Sequence, residues 1–179
     1  MFLSASKSPE QTTQGLFDSN MNDLKLSVKE PEKTIVVCHI PKKFDNIDTC
    51  VDMARFGLVT RGFKLNGKLI EKDSIFLIDS TRRVASLGAP VEIREENRGN
   101  EELGKLYNEI GIRKAVSGHF HESSHRANNS RGEHVKQGEY TTDLFWNSGC
   151  LDFGHCGVLT VRDNQVRYEN VDLRNYRKN

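Results

Sequence analysis

A chain of 179 residues, 36% hydrophobic and 28% charged, has the composition of a soluble globular protein and the length of one ordinary domain. A formal net charge of +1 gives no electrostatic case for nucleic acid or an anionic membrane surface as a specific partner. No apolar run approaches the roughly 18 residues of a transmembrane helix, Met1 to Ser6 lacks a signal-peptide pattern, and Cys38, Cys50, Cys150 and Cys156 form no C-x-x-C pair, so a cytoplasmic protein with reduced thiols is expected.

Phe2-Leu3-Ser4-Ala5 reads as the tail of an internal strand. Ser8-Pro9-Glu10-Gln11 has capping-box order, but Thr12, Thr13 and Gly15 are poor helix formers, which limits any helix to a short one. Ser19 to Glu32 is polar and predicts a loop, with the alternating Leu24, Leu26 and Val28 suggesting a short edge strand. Thr34 to Cys38 is a β-branched apolar run, expected to be a strand buried on both faces. It delivers His39 at its carboxyl end, where open α/β sheets place their ligands.

Asp45 or Asn46 would cap a short helix running through Met53 and Phe56, with Gly57 ending it. Between 57 and 99 the charges are mixed. Asn66-Gly67 between Phe63-Lys64-Leu65 and Lys68-Leu69-Ile70 signals a hairpin, and Ile75 to Ile78 is a short apolar run, so an ordered insertion is expected. The best helix runs from an Asn100 cap to Gly111. Glu101 and Glu102 stand in its first turn, and Leu103, Leu106, Tyr107 and Ile110 lie on one face.

That helix leads into a strand, Ile112 to Ser117, and then into Gly118-His119-Phe120-His121. Imidazoles at i and i+2 of an extended backbone project to the same side, and each can offer a lone pair to a metal. Spacing alone is equally compatible with a surface turn. Val36, Val37, Ala115 and Val116 should be buried in neighbouring strands, since both segments end in histidines for one site. Glu122 to Thr142 is polar and predicts an exposed loop. Within it Arg126 and Arg131 are candidates for substrate phosphate, and His125 for an accessory ligand. Asp45, Asp48 and Glu122 are candidate oxygen donors. Leu144 to Trp146 predicts a buried strand before the Asn147-Ser148-Gly149 turn. Gly157 to Val161 and Gln165 to Val171 predict a hairpin turning at Asp163-Asn164, followed by a frayed tail from Asn175. Cys150, His155 and Cys156 could contribute to a zinc site, although their spacing fits no common structural one.

Val36-Val37-Cys38-His39-Ile40-Pro41, then Ser117-Gly118-His119-Phe120-His121-Glu122, then Trp146-Asn147-Ser148-Gly149-Cys150, form an ordered set that resembles the calcineurin-like metallophosphoesterases. The resemblance runs from Thr34 to the C-terminus and implies an α/β fold, a layered β-sandwich flanked by helices, incomplete at the N-terminus. Residues 1–179 would be one C-terminal part of such a domain, with 57–99 a cap insertion. By the family's pattern His39 and His119 would share one metal, and His121 would bind its neighbour in a dinuclear centre. Histidine ligands suit manganese, zinc, iron or nickel. The implied activity is metal-dependent hydrolysis of a phosphorylated substrate. The family's D-x-H, G-D-x-x-D and G-N-H-[DE] motifs do not occur in this sequence. The chain alone is therefore expected to be inactive, and a separate N-terminal half or a homo-oligomer is an expected partner. The alternative is a non-catalytic remnant that binds a phospho-ligand or protein. A third reading is a self-contained protein with one structural metal held by histidine and cysteine.

Overall fold

A computed structural model describes residues 2–3 and 14–175, with side chains from residue 21 onward except at position 79. The Ser8–Gln11 capping box and the last four residues of the tail lie outside the described residues. The chain forms two compact units, one comprising Met1–Met53 and Asn97–Asn179, the other Ala54–Glu96. The architecture is mixed α/β, as the alternation of apolar runs and the Asn100 helix led one to expect.

The first unit is built on five strands: β1 (Phe2–Leu3), β2 (Val36–Cys38), β8 (Lys114–Ser117), β10 (Leu144–Asn147) and β9 (Ala127–Asn128), in that spatial order. The first four are mutually parallel and β9 runs antiparallel to β10. Register sorts the side chains into two faces. Val36 pairs with Ala115 and Ala115 with Phe145, while Val37 pairs with Val116 and Val116 with Trp146. The Val36–Ala115–Phe145 face packs on α1 (Gln14–Ser27) and α3 (Glu101–Ile110) through Leu24, Leu103, Leu106 and Tyr107. The opposite face is covered by the hairpin β11 (His155–Arg162) and β12 (Gln165–Asp172), whose Val166 and Tyr168 bury Trp146. A side chain at Gly157 would put its Cβ 2.3 Å from the Trp146 ring, so only glycine lets the hairpin lie this close.

The structure confirms the α3 signals. Asn100 Oδ1 accepts the Leu103 N–H at 2.7 Å, and Gly111 ends the helix with φ 76°. It corrects three expectations. Residues 24–27 are helical rather than part of an edge strand, and Val28 follows directly after the helix. Met21, Leu24 and Val28 follow the helical period toward the core, while Leu26 is 71% exposed. No helix follows Asp45. Turns lead instead into β3 (Met53–Val59), and the fully buried Asp52 accepts the N–H groups of Phe44 and Gly99 and the amide of Asn97. The Asp52 carboxylate thus serves a buried loop junction. The β2 strand is not buried on both faces. Val37 is 43% exposed and lies outside the cluster on that face, where Val166 and Tyr168 gather over Trp146 with Ile35, Val116, Val135 and Leu159 half-buried beside them.

In the second unit β6 (Ile75–Leu77), β3 and β7 (Val91–Asn97) make a three-stranded sheet in the order β6-β3-β7. The Asn66-Gly67 signal is realised as a tight turn, φ 50° and 79°, between β4 (Phe63–Leu65) and β5 (Lys68–Ile70). α2 (Ile78–Ser86) packs on β3 where Gly57 leaves room, since a Cβ there would lie 2.2 Å from Thr81 Oγ1. Among the described residues no helix is long and apolar enough to cross a membrane.

Candidate metal centre

Parallel pairing brings the carboxyl ends of β2 and β8 side by side. The pairing continues one step past the strands, where the Gly118 N–H donates to the His39 carbonyl at 3.1 Å. His39 and His119 therefore meet. His119 Nδ1 lies 3.0 Å from His39 Nε2, and the rings are edge to face with centroids 4.8 Å apart. His119 holds φ 69°, a left-handed conformation that a non-glycine residue adopts only when its surroundings fix it.

Asn147, 1% exposed at the end of β10, supplies that fixing. Its side-chain amide donates to the carbonyls of Phe120 at 2.9 Å, Gly118 at 3.3 Å and Val51 at 3.4 Å. Its Oδ1 accepts the Gly149 N–H at 3.0 Å. One buried side chain thus ties the histidine turn to β10 and to the Val51 loop. Phe120, buried beneath, sets its ring edge-on to His119 at 4.7 Å. His121 opens a short 3-10 turn anchored by Ser123, whose buried hydroxyl donates to the Met53 carbonyl at 2.6 Å. The His121 ring rests against Phe153, 5.1 Å between centroids. Burial lowers the pKa of His119, and the neighbouring His39 and His121 lower it further, so its ring favours the neutral form that carries a lone pair.

The other candidates lie elsewhere. His125 pairs with His155, centroids 4.6 Å apart, and its Nε2 is 3.0 Å from the Cys156 carbonyl. His155 Nε2 is 3.0 Å from an Arg174 nitrogen. Arg126 donates to the Ile47 carbonyl, and Arg131 is held by Glu133 at 2.7 Å. Asp45 and Asp48 are exposed and Glu122 is half-buried. The 122–142 segment is the exposed loop that its polarity suggests only in its second half, since most of 131–142 is exposed while the first half is anchored. Ser123, Ala127 and Asn128 are fully buried, and Asn128 Oδ1 accepts the Val51 N–H at 3.0 Å. Sequence reading missed Asn147 as the organiser. The Asn-x-Gly signal was legible as a turn, but the three carbonyls it gathers come from segments distant in sequence.

Among the described residues no group of three or more histidine, cysteine, aspartate or glutamate side chains is arranged to hold a metal, which applies equally to Cys150, His155 and Cys156. The His39–His119 pair does suit part of a coordination sphere. Two nitrogens 3.0 Å apart match neighbouring ligands on one ion with bonds of ~2.1 Å and an angle of about 90°. Comparison with protein-family profiles, curated proteins and solved structures finds no match.

Proposed function

We propose that the chain is a metallophosphoesterase-type α/β unit whose His39 and His119 hold a single divalent ion directed at a phosphorylated ligand. The observation that carries this reading is the 3.0 Å approach of two imidazole nitrogens at the adjacent carboxyl ends of parallel strands. A bound ion would polarise a phosphoryl oxygen and acidify a water. The chain's own contribution is positional: Asn147 fixes the turn that presents His119, while partial desolvation and the neighbouring His39 and His121 favour the neutral form of that ring. His121, held against Phe153, is the neighbour through which a second ion would be recruited.

His39, His119 and His121 bring no negative charge. Three neutral nitrogens do not hold two dications close together against their repulsion. Carboxylate ligands from a further segment or a partner are therefore part of the proposal. The lack of a three-donor group among the described residues favours a second reading, a non-catalytic module that binds a phospho-ligand at the same histidines.

Hydrolysis separates the two. The 179-residue chain should cleave bis-p-nitrophenyl phosphate barely above background with Mn²⁺ present. Fusing or co-expressing a segment that carries D-x-H, G-D-x-x-D and G-N-H-[DE] should give metal-dependent turnover that disappears in His121→Ala. Continued inactivity with a folded, metal-loaded complex favours the binding module. Robust activity of the chain alone, lost with chelator and in His119→Ala, would overturn the single-ion account.

A further inference from the structure

Among the described residues of the first unit two lysines are buried, and they are compensated differently. Lys42 sits with Nζ 4.3 Å and 4.6 Å from the Phe44 and Phe145 ring centroids, so aromatic faces take its charge. Lys114, the first residue of β8, is 2% exposed, and among the described residues no aromatic face covers its ammonium. Its Nζ donates to the backbone carbonyls of Glu32 and, at 3.0 Å, of Asn164. An ammonium carries three N–H donors, and these carbonyls take two. Among the described residues no carboxylate lies within ion-pair distance of it. A buried lysine with no carboxylate in contact is rare, and here Glu32 and Asp143 compensate the charge only across space.

Lys114 lines a cavity of about 390 Å³ together with Pro31, Glu32, Gly111, Arg113, Thr142 and Asn164. That volume falls within the range of small-molecule sites. It opens at the amino ends of β8 and β10, the opposite end of the sheet from His39 and His119. Arg113 is partly committed, with one nitrogen donating to Ser130 Oγ at 2.6 Å and lying 3.6 Å from Asp143. A guanidinium has five N–H donors, so others stay open. The ionised lining residues are Arg113, Lys114 and Glu32, and Asp143 stands 3.6 Å from Arg113 just behind them, so the charges balance and what the cavity offers an anion is N–H donors.

We infer that this cavity binds a small metabolite through a single phosphate or carboxylate group, taken by the third N–H of Lys114 and by Arg113. Thr142 and Asn164 line the rest and suit neutral polar groups of the ligand. Burial lowers the Lys114 pKa, while the charges of Glu32 and Asp143 act to raise it. A bound anion adds to the raising side, so binding strengthens protonation of the amine and weakens at alkaline pH. This site stands independently of the histidine pair.

The test uses the full chain with chelator present, so that the histidines hold no metal. Inorganic phosphate and acetate are titrated separately by calorimetry or by ligand-observed NMR. The expected result is saturable binding of at least one of them, with the stronger probe identifying the anchoring group. Binding should be unchanged in His119→Ala and weakened about ten-fold or more in Arg113→Gln and in Lys114→Met, the range for losing a charge-assisted hydrogen bond. Arg113 is an exposed residue, so Arg113→Gln remains informative if Lys114→Met fails to fold. Failure of both probes to bind overturns the inference. So does binding that survives Arg113→Gln, or binding that is lost in His119→Ala.

Discussion

Asn147 shows how much one side chain can carry. Its amide meets carbonyls from Val51, Gly118 and Phe120, and its oxygen meets the Gly149 N–H, at a side chain that is 1% exposed. Removing a buried partner leaves those groups unpaired, at about 1–3 kcal/mol. Asn147→Ala should therefore lower stability by that amount in urea denaturation. It should also weaken Mn²⁺ binding about 10–100-fold, as losses in the shell behind a ligand typically do. A variant that keeps both properties would show that His119 is positioned by something else. Thiol chemistry supplies a second check. Burial raises the Cys38 thiol above its ordinary pKa and pushes Cys50 up to about 11. At pH 8 a native sample should leave both unmodified by a disulfide reagent while Cys150 and Cys156 react, and denaturant should release all four thiols. Because the Cys50 pKa is higher folded than the ~8.5 of an unfolded chain, its contribution to stability is intact below that value. It is lost as pH rises toward 11. Cys50 reacting as fast as Cys150 would contradict its burial.

Elements became legible in the sequence when their signals were local. The α3 helix carries its own cap, first-turn acids and terminating glycine, and the hairpins at Asn66-Gly67 and Asp163-Asn164 carry their own turns. The α1 helix was not legible, because Leu24, Leu26 and Val28 alternate while Met21, Leu24 and Val28 follow a helical spacing. Packing against the α3 helix selects the second pattern. Asp52 was hidden for the same kind of reason, since its three donors come from residues up to Gly99. Strand β2 illustrates the limit of reading burial from an apolar run. Val36 and Val37 look alike in sequence, yet one faces the helices and the other is 43% exposed. Val36→Asp should be strongly destabilising, by more than about 3 kcal/mol, because it buries an unpaired charge. Val37→Asp should cost about 1 kcal/mol or less. Chemical denaturation of the two variants decides it, and equal losses would show that both faces of β2 are covered.

At the scale of the molecule, the first unit is a mostly parallel sheet with helices on one face and a hairpin on the other. Its two ends differ in chemistry. The carboxyl end gathers His39, His119 and the Asn147 turn, and the amino end gathers Lys114 and Arg113 around a cavity. The convergence of His39 and His119 was legible because each follows an apolar run that ends at the carboxyl edge of the sheet. The withdrawal of Arg126 and Arg131 to Ile47 and Glu133 was not, since nothing in the sequence reports which neighbours claim an arginine. The central claim is that His39 and His119 share one ion. Calorimetric titration of the chain with Mn²⁺ tests it most directly. The account predicts one ion per chain, with binding abolished in His39→Ala and in His119→Ala alike and little changed in His125→Ala. Binding that persists in both of the first two variants, or that is lost only in His125→Ala, would contradict it.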